Sequence, residues 1–266
     1  MHVVDMRVRM FQADAFASRV FTGNPAAVMP LDSCLADAVL QAIACENNLA
    51  ETAFLVPEDG EYRVRWFTPA TEVPLCGHAT LASAAVIMER LEPHRDRVIF
   101  HSASGPLTVT RSDQGYVMDF PARRMTSVPT PPELVEALGT GPLDVAVDAH
   151  NYLAVLGSEE VVRELAPDIG AVARLDRSGL IVTARSNSVY DFVSRYFAPA
   201  KGIAEDSVTG GAHCALAPYW STRLRKTAFR AFQASQRGGE VVCRLVGDRV
   251  ELEGSCVFYL EGEVEI

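Results

Sequence analysis

The sequence predicts an α+β protein of two like halves, each gathering strands about one buried helix. Two observations predict it. The first is a helix that opens at Leu75-Cys76-Gly77-His78-Ala79-Thr80-Leu81-Ala82-Ser83 and continues through Ala84, Ala85, Val86, Ile87, Met88 and Leu91, apolar on every side. Such a helix is buried, not laid on a surface. The second is a repeat: Cys76 to Ala82 aligns with Thr209 to Ala215, setting Gly77 on Gly210, Ala79 on Ala212 and Ala82 on Ala215, an offset of 133 in a chain of 266 residues. Upstream, Arg65-Trp66-Phe67-Thr68-Pro69-Ala70 matches Arg195-Tyr196-Phe197-Ala198-Pro199-Ala200, and downstream Gly105 and Val117 match Gly238 and Val250. Three matches in the same order, at a period far longer than solenoid repeats, imply two like domains. The expectation is that both helix starts open on one cleft, where Gly77 admits close approach and the first N–H groups, lacking intrahelical partners, can hold an anion. Cys76, His78 and Thr80 form a polar trio at the first opening.

In chain order, Val8 to Phe16 reads as a strand, Phe21-Thr22-Gly23-Asn24-Pro25 as a turn and Ala26 to Met29 as a second strand. A helix is expected from a cap at Asp32 or Ser33, with Leu35, Val39, Ala42 and Ile43 on one face and a stop at Asn47-Asn48. The strand Leu49 to Val56 then carries Glu51 among apolar neighbours. Its two readings are an exposed residue at a strand edge, or a carboxyl group turned into a cleft, where burial suits it to proton transfer near neutral pH. Strands follow at Tyr62 to Phe67, Val98 to His101, Gly105 to Arg111 and Tyr116 to Phe120. Prolines crowd Pro121 to Pro132, so the halves are placed at 1–122 and 123–266, with the last strand allowed to cross back. Asp206 stands just before the second buried helix, where capping is the simplest role.

Composition narrows the function. A net charge of −10 leaves no chain-wide basic field for phosphates, so nucleic acid is not an expected partner. Arg223, Arg225 and Lys226 instead suit the C-terminal end of the second buried helix. Met1 to Met10 alternates apolar and polar residues without a signal-peptide core, and no apolar run approaches the ~20 residues that span a bilayer. Six scattered cysteines do not form a disulfide framework, and a cytoplasmic setting fits them.

Four segments then carry a resemblance: Phe21-Thr22-Gly23-Asn24-Pro25-Ala26-Ala27-Val28, Asn48-Leu49-Ala50-Glu51-Thr52-Ala53-Phe54, Pro74-Leu75-Cys76-Gly77-His78-Ala79-Thr80 and Glu205-Asp206-Ser207-Val208-Thr209-Gly210. Together they resemble the phenazine-biosynthesis PhzF-type isomerases, over nearly the whole chain. The resemblance implies the diaminopimelate-epimerase-like fold: two pseudo-symmetric domains, each a mainly antiparallel sheet wrapped around a central helix. It also implies a homodimer, no cofactor, no metal and a small substrate bearing a carboxylate. The best-known member isomerises trans-2,3-dihydro-3-hydroxyanthranilate by moving a proton between ring carbons. By resemblance Glu51 carries the proton, His78 assists and Asp206 receives a substrate amine or hydroxyl. Asn24, Cys76, Gly77, Thr209, Gly210 and Gly211 make up the substrate-binding set. One carboxyl group that takes a proton from carbon and returns it elsewhere needs a held substrate and excluded solvent, not a redox group.

The chain departs from the family pattern at Gly211, where the isomerase commonly has a serine. The wider superfamily's racemases use two opposed cysteines; Cys76 stands at the first position but Thr209 at the second, and a hydroxyl does not approach a thiol's acidity. Zinc on Cys76, His78, His213 and Cys214 fits by residue type but not by spacing. A binding protein that has lost the reaction is disfavoured by the presence of Glu51, His78 and Asp206 together.

Overall fold

The computed structural model describes residues 6–266, so Met1 to Asp5 of the alternating N-terminal segment lie outside it. The chain forms two compact units, Met1–Asp119 with Glu253–Ile266 and Phe120–Leu252.

Unit 1 holds β1 (Arg7–Ala15), β2 (Asn24–Pro30), α1 (Asp37–Asn47), β3 (Glu51–Glu58), β4 (Glu61–Phe67), the two-residue β5 (Glu72–Val73), α2 (Gly77–Val86), β6 (Arg97–Ser102), β7 (Gly105–Ser112) and β8 (Gly115–Pro121), which runs into the boundary. Unit 2 adds β9 (Thr126–Ser127), α3 (Pro132–Leu138), β10 (Asp144–Val147), β11 (Asn151–Val155), α4 (Glu159–Glu164), α5 (Ile169–Ala173), β12 (Gly179–Arg185), β13 (Phe192–Ala198), β14 (Ile203–Asp206), α6 (Gly210–Leu224), β15 (Ala228–Gln233), β16 (Gly239–Val246) and β17 (Arg249–Gly254). The last strand, β18 (Cys256–Glu265), belongs to unit 1.

In unit 1 the pairings run β18–β1 antiparallel, β1–β2 antiparallel, β2–β3 parallel, β3–β4 antiparallel, β4–β6 parallel and β6–β7 antiparallel, with β5 sharing the edge of β4. In unit 2 they run β9–β10 antiparallel, β10–β11 antiparallel, β11–β12 parallel, β12–β13 antiparallel, β13–β15 parallel and β15–β16 antiparallel, with β14 sharing the edge of β13. The same order of pairings therefore recurs. Side chains recur with it. Arg65 grips Glu72 through two bonds of 2.7 Å and lies 5.1 Å over Phe67. Arg195 grips Glu205 at 2.7 and 2.9 Å and lies 4.9 Å over Phe197. Each planar guanidinium bridges to the short strand beside it while stacking on the ring two residues on.

The helix that reads as apolar all round is buried, and so is most of its match in the repeat. Every residue of α2 from His78 to Val86 is buried, and the helix packs on β1, β2, β3, β7 and β18 of its own unit. Burying Leu81 and Val86 there contributes about 1.5–3 kcal/mol each. Most of α6 is buried likewise, against β15 and β16. Separate clusters complete the cores: Met29, Leu40, Phe54 and Phe67 in unit 1, and Leu134, Leu180, Val193 and Phe197 in unit 2.

Several local expectations are corrected. α1 starts at Asp37 behind Ala36, with no side-chain cap, so neither Asp32 nor Ser33 begins it. Its buried residues are Leu40 and Ala44, with Ile43 beside them, whereas Ala42 is exposed. It does stop at Asn48, which takes the left-handed conformation that asparagine tolerates. Residues 121–132 are not a free connector, because β9 within them pairs with β10. Arg223, in the last turn of α6, donates to the Tyr219 carbonyl at 3.3 Å, as expected of a cation at that end, and also pairs with Asp144, whereas Lys226 pairs with Asp191. Among the described residues no helix is long and apolar enough to cross a membrane.

Candidate active site

Glu51 opens β3, one residue after the glycine-free turn that ends α1, and the parallel pairing with β2 sets it opposite Ala26. Glu51 is 9% exposed, which decides between the two readings its sequence context left open. His78 is the second residue of α2, and its imidazole Nε2 lies 2.9 Å from Glu51 Oε2. Both atoms are buried, and neither has a well-directed hydrogen-bond partner. On the ring's other side Asn24 Nδ2 lies 3.1 Å from Nδ1, and Cys76 Sγ stands 3.6 Å from the same nitrogen. The third residue of the trio expected at this opening turns away, because Thr80 donates its hydroxyl to the Cys76 carbonyl at 2.5 Å.

Burial works against a charge on His78, but Cys76 and Glu51 outweigh it and hold the ring's pKa well above 6.5. Burial, with Glu51 beside it, pushes the Cys76 thiol up. A buried carboxyl group and imidazole at 2.9 Å can pass one proton between them.

The ligand atoms of Glu51, Cys76 and His78 lie within 4.8 Å of one another, close enough to raise the question of a metal. Glu51 faces Nε2 and Cys76 faces Nδ1, so the two partners meet different nitrogens of the ring. Among the described residues, the group of ligand types close enough to hold an ion does not include His213 or Cys214 of the zinc set weighed from the sequence.

Unit 2 supplies the other expected residues. Asp206 ends β14 and does not cap α6, whose N-cap is Thr209. Instead Thr209 Oγ1 donates to Asp206 Oδ2 at 2.5 Å, so the hydroxyl proton expected to meet substrate is spent on the carboxylate. Gly210 and Gly211 begin the helix. At Gly211 an added Cβ would stand 3.8–3.9 Å from the Arg123 guanidinium, ordinary contact, so the space left by the missing serine side chain borders a cation. Neither Arg123 nor Gln233, which bonds the Asp206–Thr209 turn, was among the residues expected from sequence. Gln233 had a signal: it shares the inward phase of β15 with Phe229 and Ala231, a polar residue on an apolar face.

With this geometry in place, the comparisons with known proteins decide the family. The profile of the phenazine biosynthesis-like proteins (PhzC-PhzF) matches residues 13–262. The chain belongs to this family. It is 51% identical over 261 residues to an uncharacterized isomerase of Pseudomonas aeruginosa, covering 98% of this chain and 100% of that one. A PhzF-family crystal structure from Enterococcus faecalis matches with a TM-score of 0.95 at 44% identity, over 98% of this chain and 100% of that one. A hydroxyproline epimerase from Agrobacterium vitis, with bound trans-4-hydroxy-L-proline, matches at 0.63 with 11% identity over 98% and 93% of the two chains. That last likeness extends the mixed α+β fold of this PhzF-family chain to epimerases.

Proposed function

We propose that this PhzF-family protein is a cofactor-independent isomerase that moves a proton between carbons of a small carboxylate-bearing substrate, similar to trans-2,3-dihydro-3-hydroxyanthranilate isomerase. The observation that carries the reading is the buried Glu51–His78 contact at the start of α2, with both facing atoms otherwise unpartnered. Glu51 takes the proton from carbon and returns it, and His78 holds or exchanges it between the two steps. Asp206 receives the substrate's amine or hydroxyl, and the N–H groups of Gly77, Gly210 and Gly211 receive its carboxylate. The recurring pairings support reading the two units as pseudo-symmetric copies of one design. The relatives' names as isomerases support the reaction class.

The test is uptake of solvent deuterium at carbon, run in heavy water on trans-2,3-dihydro-3-hydroxyanthranilate and a panel of small ring and amino acids. Uptake by the wild type and its loss in folded Glu51→Gln are expected; no uptake from any member of the panel would return the non-catalytic binding protein to first place. A homodimer is part of the same proposal, and light scattering at twice the chain mass is its check.

A further inference from the structure

Gln233 ends β15 where the edge of β13 changes neighbour. β15 pairs with Phe192 to Ser194, and β14 takes over at Tyr196 and Ala198. The turn from Asp206 to Thr209 leaves that edge, and backbone groups there need partners that no strand supplies. The Gln233 side chain supplies them. It is fully buried. Its carbonyl accepts the Thr209 N–H at 2.8 Å, and its NH2 donates to the Asp206 backbone carbonyl at 2.8 Å and to Thr209 Oγ1 at 3.2 Å.

The direction of every bond is forced. Oε1 faces an N–H, so the amide cannot be turned over. The NH2 group only donates, so Thr209 Oγ1 accepts from it and sends its own proton to Asp206 Oδ2, 2.5 Å away. The fold does not demand this device. In unit 1 the same parallel pairing sets Tyr62 on Phe100 and Arg63 on His101, and the next residue is Ser102, whose hydroxyl goes to the Gly105 carbonyl instead. The clamp belongs to the half that carries Asp206.

We propose that Gln233 is a positioning residue for Asp206: it fixes the Asp206–Thr209 turn and, through the Thr209 hydroxyl, orients the carboxyl group that meets the substrate. What Asp206 then does rests on the proton-shift reading; the positioning is measured without turnover.

The experiment compares the full-length wild type with Gln233→Met, Thr209→Val, their double variant and Thr209→Ser. Carbon-13 NMR follows the Asp206 carboxyl carbon through an acid titration. Loss of an oriented donor disfavours the charged form, so the Asp206 midpoint should rise by about one unit in Gln233→Met and in Thr209→Val. The double variant should shift no further, because both changes break one chain of donors, while Thr209→Ser keeps the wild-type midpoint. On a substrate that the wild type turns over, kcat of Gln233→Met should fall about tenfold with KM nearly unchanged. If the wild type turns over nothing, the functional reading fails and the titration still judges Gln233. A wild-type midpoint in folded Gln233→Met, or additive shifts in the double variant, would overturn the proposal. Should Gln233→Met not fold, the scalar coupling across the hydrogen bond from the Thr209 amide to the Gln233 carbonyl carbon decides in the wild type, and its absence overturns the clamp.

Discussion

Glu51 is the residue on which the proposed chemistry turns, and its environment makes a quantitative demand. Replacing it by glutamine keeps the shape but removes the exchangeable acid, and loss of a general acid-base group costs typically ~10²- to 10⁴-fold in rate. Deuterium uptake into bound substrate should fall by that much in Glu51→Gln, and a near-wild-type rate would leave His78 as the base. His78 itself gives a pH signature. Its pKa in the folded state is raised above 6.5, so its pairing stabilises the fold fully below the unfolded value of 6.5 and loses that contribution as pH rises through the folded value. The difference in Tm between wild type and His78→Gln should therefore be largest in mild acid and shrink on the alkaline side; a difference that grows with pH would contradict the assignment. The sequence marked Glu51 as notable but could not decide its burial. Its neighbours, Ala26 across the parallel pairing and His78 at the start of α2, come from elsewhere in the chain, and no local pattern encodes those contacts.

At the scale of the element, the two buried helices begin by the same device with different atoms. In α2 the carbonyl of Cys76 is held by the side chain of Thr80, four residues on; in α6 the carbonyl of Thr209 is held by the ring of His213, again four residues on. All-round apolarity made α2 legible, and the repeat made α6 legible. α1 was legible only at its stop, since Asp32 and Ser33 are capping types that the intervening residues do not follow into a helix, and the true first turn has no capping side chain to betray it. The His213 device has an acid weakness. Burial pushes its pKa down to about 4, so the unfolded chain binds a proton that the folded one refuses between pH 6.5 and 4. Stability should fall through that window as pH drops, and His213→Asn, which keeps a donor near the carbonyl, should flatten the slope in a series of thermal melts. At the head of α2, Cys76 has no thiol opposite number, because its counterpart in the repeat is Thr209. Burial also holds its own thiol away from ionisation. Cys76→Ser should keep most of the wild-type exchange rate; abolition in a folded protein would bring back the two-thiol racemase.

The order of pairings in unit 1 and unit 2 is shared across the whole molecule, and the duplication read from Gly77 and Gly210 is its trace in the sequence. What the repeat did not reveal is which strand pairs with β1 and β10 on the side away from β2 and β11. In unit 2 that strand is β9, which immediately follows β8; in unit 1 it is β18, which immediately follows β17 and comes from the opposite end of the chain. A short Thr-Ser pair and a ten-residue strand have nothing in common as sequence, so the equivalence is one of place and not of residues. The difference in length has a consequence. β18 runs beside the whole of β1, from Arg7 opposite Glu265 to Ala15 opposite Cys256, whereas β9 meets only Ala146 and Val147 of β10. Ending the chain at Gly254 strips β1 of every hydrogen bond on that side, and with them the ion pairs Arg7–Glu265 and Arg9–Glu261 at 3.0 and 2.9 Å. The ion pairs are exposed and contribute little; the ladder is the larger loss, since its backbone groups and the apolar residues beneath it are opened together. Amide hydrogen exchange on the truncated chain should then show protection lost first from Arg7 to Ala15 and from β2 behind it, with β10 and β11 keeping theirs under β9. Equal loss in β1–β2 and in β10–β11 would mean that the final strand supports the molecule as a whole and not one unit.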